Sequence, residues 1–179
     1  MTHPIIDAVR RLRERERLTG DQVQAIEARV HPLVLELTGK REPAVGLEGK
    51  FSIYHCAAIA LIEGNARPGQ FSDEAVTRPD AVELRRKVSA TADPALRENQ
   101  AAVSVTLNDG RRVSEWVEAA TGSPENPISD DQLREKFHDL VWPYLPRWKE
   151  ERLLEMIEGL VDLTDVGAFA ELLEPAEGM

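Results

Sequence analysis

The stretch AAVSVTLNDGRRVSEWVEAA, residues 101–120, decides the fold class of this 179-residue chain. Apolar and polar residues alternate on both sides of Asn108-Asp109-Gly110, which is typical of a β-hairpin with one buried face. A hairpin pairs neighbouring strands antiparallel, whereas a doubly wound sheet needs a helix between successive strands. The stretch therefore predicts an antiparallel sheet.

Further strands and helices precede this hairpin. The other predicted elements are two strands, 25–32 and 87–93, and four helices, 3–18, 49–64, 72–76 and 80–87. Thr2 is the expected N-cap of the first helix. Residues 1–128 are thus predicted to form an α+β domain, in which helices cover a small antiparallel sheet.

The segment TGSPENP, residues 121–127, is rich in residues that end helices and strands, and it leads into a second segment. Ser129 and Gln132 form a predicted capping box, and residues 129–179 are predicted to be helical. The predicted helices within 133–161 carry more apolar surface than a small sheet can bury. We therefore expect this segment to pack on the first domain or on a missing helical domain.

Charge and composition exclude several classes of partner. The net charge of −10 repels nucleic acid and anionic membranes. No apolar run reaches the roughly 18 residues of a membrane span, and the first residues do not resemble a secretory signal. Cys56 is the single cysteine, so we expect a cytoplasmic protein without a disulfide, and no His spacing predicts a metal site.

Four polar side chains interrupt the apolar helix predicted at 49–64: Lys50, Ser52, Tyr54 and His55. On one continuous helix, Lys50 and Tyr54 would share a face, and Ser52 and His55 would share another. A carboxylate at the start of the helix would meet Lys50 together with free backbone N–H groups. The alternative is that these groups are satisfied inside a core, since an unpaired buried polar group costs about 1–3 kcal/mol.

Four segments occur in the order found in one family: THPIIDA (2–8), GKFSIYHCAAIALIEG (49–64), a DGR turn (109–111) and GSPENPISDDQLREKF (122–137). They resemble the C-terminal part of the MmgE/PrpD family, which includes 2-methylcitrate dehydratase, cis-aconitate decarboxylase and iminodisuccinate epimerase. The resemblance implies a lid-like α+β domain beside a large helical domain, with the active site between them. It also implies proton transfer next to a carboxylate of a small di- or tricarboxylate, without metal or organic cofactor.

The resemblance also implies roles for individual residues. Many relatives read Gln-Tyr where this chain has Tyr54-His55, and that tyrosine contributes to their site. His55 takes its position and is the predicted catalytic residue, because imidazole transfers protons near neutral pH. Lys50, Ser52, Tyr54 and His3 are the predicted substrate-binding residues.

Two functions follow from these patterns. The first is the C-terminal part of an MmgE/PrpD-type lyase or isomerase that needs the helical domain to be complete. That domain could be a separate protein partner, and a homodimer is the other expected assembly. The second function is a non-catalytic binding or assembly module that keeps the lid fold.

Overall fold

The computed structural model describes residues 1–174, in two compact units divided after Pro127. The first unit holds a four-stranded sheet and most of the helices. Its strands are β1 Val23–Val30, β2 Val88–Ala92, β3 Ala101–Leu107 and β4 Arg112–Val117. Burial alternates along β3, so one face of the sheet carries the core and the fold class is α+β, as predicted.

The strand order is β2-β1-β3-β4. The hairpin prediction is confirmed, because β3 and β4 pair antiparallel around a turn in which Gly110 has a φ of 85°. The prediction of a purely antiparallel sheet is wrong, because β2 runs parallel to β1 with Ile26 opposite Val88. All the helices between β1 and β2 form a crossover that returns the chain in its original direction.

The helices of the first unit are α1 His3–Glu16, α2 Pro32–Thr38, α3 Gly46–Lys50, α4 Ile53–Glu63, α5 Asp73–Thr77 and α6 Pro79–Arg86. Helix α2 was not predicted; its N-cap is His31, whose Nδ1 accepts a hydrogen bond from the Leu33 N–H at 3.2 Å. Thr2 occupies the N-cap position of α1, as predicted, but its backbone is helical and its side chain makes no capping hydrogen bond.

The single helix predicted over 49–64 is two helices, α3 and α4, that meet at Phe51 and Ser52. Ser52 is extended, and its hydroxyl accepts a hydrogen bond from the His55 N–H at 3.1 Å. It therefore acts as the N-cap of α4, a position that serine favours. The extended backbone of Ser52 also forms a β-bridge with Gly39, which a continuous helix could not do.

Helix α4 is the centre of the first unit. Every residue from Ile53 to Leu61 is buried, and α1 packs alongside. Arg13 Nε donates a hydrogen bond to the Leu61 carbonyl at 2.8 Å, and the Thr2 side chain lies against the Cys56 thiol. The amino ends of α1 and α4 therefore lie together.

The second unit contains α7 Asp130–Val141, α8 Arg147–Glu158 and α9 Val166–Leu172. The predicted capping box of Ser129 and Gln132 is confirmed. Helix α7 has no buried residue. The described part of this unit exposes eleven large apolar side chains: Ile128, Leu133, Leu140, Trp142, Tyr144, Trp148, Ile157, Leu160, Val161, Val166 and Leu173. Among residues 1–174, no helix is long and apolar enough to cross a membrane.

A close backbone approach at Gly46 joins α3 to a 3-10 turn at Pro68–Phe71, here called the 68–71 turn. A Cβ on Gly46 would lie 1.8 Å from the Phe71 carbonyl oxygen. The Gly46 N–H also donates to Asp73 Oδ1 at 2.6 Å. Only glycine allows this contact, because any side chain would push the two segments apart.

We predict that Gly46→Ala destabilises the chain by about 3 kcal/mol or more, since the new methyl group collides with backbone that has no rotamer to change. Gly69→Ala is the matched control, because a Cβ there meets nothing within 4 Å. Urea unfolding followed by circular dichroism should show a change of less than about 0.5 kcal/mol for the control. Equal stabilities of the two variants would contradict the assigned contact.

Candidate functional site

The predicted site residues gather where the amino ends of α1 and α4 meet. His3 begins α1, Ser52 caps α4, and Tyr54 and His55 lie in its first turn. Lys50 ends α3 just before the break. His3 and Lys50 are exposed, whereas Ser52, Tyr54 and His55 are buried.

The break before α4 changes the expected pairing of these residues. Lys50 and Tyr54 do not share a helix face, because they belong to different helices. The Ser52 hydroxyl accepts a hydrogen bond from the His55 backbone N–H, so it is not paired with the His55 side chain. The pairing that the structure makes for Tyr54 is with Arg41, whose guanidinium carbon lies 4.6 Å from the centre of the tyrosine ring.

His55 has no exposed surface, and its Nε2 lies 3.0 Å from the carbonyl oxygen of Gln70 in the 68–71 turn. A carbonyl only accepts hydrogen bonds, so Nε2 carries the proton and donates. The ring meets Phe71 edge-on at a centroid distance of 5.7 Å. Nδ1 is buried without a hydrogen-bond partner among residues 1–174.

Burial lowers the pKa of His55, and the positive charges of Arg85 and Arg78 lower it further against the opposing effect of the Gln70 carbonyl. The ring is therefore neutral at pH 7, and Nδ1 is its one atom able to accept a proton. Catalysis by His55 stays a prediction. The contact with Gln70 gives the residue a second role, which is to hold the 68–71 turn against α4.

Arg85, a buried residue of α6, was not singled out in the sequence. Its Nη1 donates to the Val76 carbonyl at 3.1 Å, and its Nε has no hydrogen-bond partner among residues 1–174. Burial lowers the pKa of Arg85, because a charge in this position has lost much of its hydration. The sequence offered no signal for it, since LRRKV reads as the end of an ordinary amphipathic helix.

A cleft of about 330 Å³ lies at the other end of α4, and it includes none of the predicted site residues. Arg13, Asp80, Glu83 and Lys87 are among its lining residues. Its cations are already engaged, because Arg13 donates to Leu61 and Lys87 pairs with Glu83 at 3.3 Å. The cleft therefore does not suit a carboxylate.

Within residues 1–174, no three His, Cys, Asp or Glu side chains come together in an arrangement that could hold a metal ion. Cys56, the one cysteine, is buried, and burial raises the pKa of its thiol to about 12.

We predict that Cys56 does not react with a disulfide reagent such as DTNB at pH 8, because the reactive thiolate is scarce and the sulfur is shielded. The chain has one cysteine, so full reaction after unfolding in guanidinium supplies the internal control. Reaction of the folded protein at the rate of a free thiol would contradict the packing of α4.

His55 should make the folded state sensitive to acid. Its pKa is lower in the folded state than the ordinary value of about 6.5. The unfolded chain therefore binds more protons below that pH, and stability falls as the pH drops through 6.5. We predict that the stability difference between the wild type and His55→Gln shrinks from pH 7 to pH 5.5. Above pH 7.5 the two curves should run parallel, and parallel curves over the whole range would contradict the assignment.

Comparison with known proteins places the chain in a family. The MmgE/PrpD C-terminal domain matches residues 1–162. Cis-aconitate decarboxylase of Mus musculus is 27% identical, over 97% of this chain and 37% of the enzyme, and that of Homo sapiens has the same values. Cis-aconitate decarboxylase of Aspergillus terreus is 25% identical, over 75% of this chain and 29% of the enzyme.

The chain thus spans well under half the length of these relatives, and the part that matches is the family's C-terminal domain. The family match includes both units described above, up to Asp162. It also includes every predicted site residue, from His3 to His55. The chain belongs to the MmgE/PrpD family, as its sequence motifs predict.

Proposed function

We propose that the chain is the C-terminal part of a lyase that acts on small di- or tricarboxylates by proton transfer next to a carboxylate. The observation that carries this proposal is the match of residues 1–162 to the C-terminal domain of the family. The three decarboxylases that resemble the chain support decarboxylation of a cis-aconitate-like substrate as the first reaction to test.

The joined amino ends of α1 and α4 suit such a substrate. Helix amino ends carry partial positive charge and backbone N–H groups without partners in their own helix, which favour a carboxylate. The exposed cation of Lys50 and the exposed imidazole of His3 lie at these ends. We assign both to substrate carboxylates, where they would also stabilise the negative charge that develops when the adjacent carbon loses a proton or CO₂.

The complete site takes more residues than this chain supplies. The relatives are about three times as long as the matched region, since it covers 29–37% of them. We propose that a helical domain provides the remaining acid–base groups. The exposed aromatic residues of the second unit, Trp142, Tyr144 and Trp148, fit a surface that receives such a domain.

The proposal is tested on the protein purified from its own cells together with every protein that accompanies it. Cis-aconitate and related di- and tricarboxylates are incubated in D₂O and followed by proton NMR. We expect a substrate signal to disappear, with deuterium entering the product beside a carboxylate. If a helical-domain protein is present in fixed ratio and none of these acids exchanges or reacts, the lyase assignment fails, and the non-catalytic module becomes the better description.

A His55→Gln variant of the same complex separates proton transfer from positioning. Proton transfer by His55 predicts a loss of about 100-fold or more in kcat, with KM unchanged and one limb of the pH–rate profile missing. Positioning alone predicts a lower melting temperature with kcat retained. Because glutamine keeps an N–H that can reach the Gln70 carbonyl, it disturbs the packing less than alanine does.

A further inference from the structure

We infer that Arg41 binds a carboxylate of the substrate and that the ring of Tyr54 holds its guanidinium in place for this purpose. The inference rests on the proposed function for the substrate class, a small polycarboxylate. It assigns the binding contact to a residue in the loop of residues 39–45, outside α4. Tyr54, a predicted substrate-binding residue, then acts through Arg41.

The loop of residues 39–45 is fixed against the start of α4. At its beginning, Gly39 forms a β-bridge with Ser52. Near its end, the Ala44 N–H donates to Glu48 Oε2 at 2.7 Å. Pro43 between these points is buried. The backbone that carries Arg41 is therefore held by contacts on both sides, so the side chain starts from a defined position.

Arg41 is the loop cation that remains available. Its neighbour Lys40 forms an ion pair with Glu48, which also anchors the loop. Arg41 is exposed, and no carboxylate of residues 1–174 lies within ion-pair distance of it. Most other arginines of the described chain do pair with acids, for example Arg78 with Glu63 and Asp80. Arg17 is also exposed and forms no ion pair among residues 1–174, and Arg41 differs from it because its guanidinium rests on a buried aromatic ring.

The contact with Tyr54 leaves the binding edge of Arg41 open. Its guanidinium carbon lies 4.6 Å from the ring centre, which is cation–π distance, and Tyr54 is only 4% exposed. A guanidinium that rests on an aromatic face still presents its N–H donors at its edge, where a carboxylate binds with two parallel hydrogen bonds. The buried ring restrains the guanidinium before a ligand arrives, which reduces the side-chain entropy lost on binding.

Charged residues other than Arg41 also act at the start of α4. The positive charges of Arg85 and Arg78 act on His55, the residue next to Tyr54, and contribute to lowering its pKa. Glu42 is exposed beside Arg41, and its charge acts on Arg85. Arg78 is offset by its ion pairs with Glu63 and Asp80, so Arg85, which forms no ion pair among residues 1–174, is the cation that adds positive charge here, with Glu42 as its opposing acid.

The test uses the 179-residue chain labelled with ¹⁵N-arginine and titrated with tricarballylate, a saturated tricarboxylate that cannot react. We expect one arginine side-chain Nε–H signal, absent in Arg41→Lys, to shift saturably. Arg41→Gln should weaken binding about tenfold, equivalent to about 1.4 kcal/mol. Arg17→Gln, at the exposed carboxyl end of α1, is the matched control for loss of one charge and should leave the affinity unchanged.

Two substitutions of Tyr54 test how Arg41 is held. Tyr54→Phe keeps the aromatic face and should bind tricarballylate within about twofold of the wild type, whereas Tyr54→Leu should bind as weakly as Arg41→Gln. A folded spectrum of each variant is the precondition, and Tyr54→Phe with Arg41→Gln suffices if the leucine variant does not fold. The inference is overturned if no Arg41 signal shifts, if both arginine variants weaken binding equally, or if Tyr54→Phe alone abolishes it.

Failure of this inference and failure of the proposed function give different results. If the complex turns over a carboxylate with the same KM in wild type and Arg41→Gln, Arg41 is not a substrate ligand and the lyase assignment stands. If tricarballylate binds through Arg41 and the complex has no turnover, the lyase assignment falls and a carboxylate-binding module remains.

Discussion

The burial of helix α4 from Ile53 to Leu61 is the constraint on which the rest of the first unit depends. These residues are at most 4% exposed, so each polar group in the first turn needs a partner inside the protein. The His55 backbone N–H finds Ser52, and the His55 ring finds the Gln70 carbonyl. Ser52 also forms a β-bridge with Gly39 at the start of loop 39–45, and Gln70 belongs to the 68–71 turn. Both segments therefore lie at the amino end of α4.

This convergence also gives the site its chemistry. The helix amino ends, Lys50 and Arg41 place positive charge in a chain whose net charge is −10. In the proposed function, these local cations bind a small anion, while the negative charge of the rest of the chain still repels polyanions. Burial lowers the pKa of His55, which keeps its ring neutral at pH 7 at this end of α4.

The hairpin was predictable because its signals are local. Alternation over 101–117 and a turn with glycine at positive φ act within twenty residues. The parallel pairing of β2 with β1 was not predictable in the same way. It joins residues about sixty positions apart, and alternation in Val88–Ala92 is compatible with either direction. The break before α4 was missed because Ser52 lies in a sequence that reads as continuous helix.

By itself the sequence determined the α+β class, the family and the set of polar residues at the start of α4. These depend on residue type and short spacing, which the chain carries from the outset. Only the tertiary structure decided what those residues face. In the structure Ser52 is the N-cap of α4, and the His55 ring bonds to the Gln70 carbonyl fifteen residues away. The Arg41 guanidinium stacks on the Tyr54 ring. Such partners depend on how distant segments pack, because burial forces polar groups to pair with whatever the fold brings near.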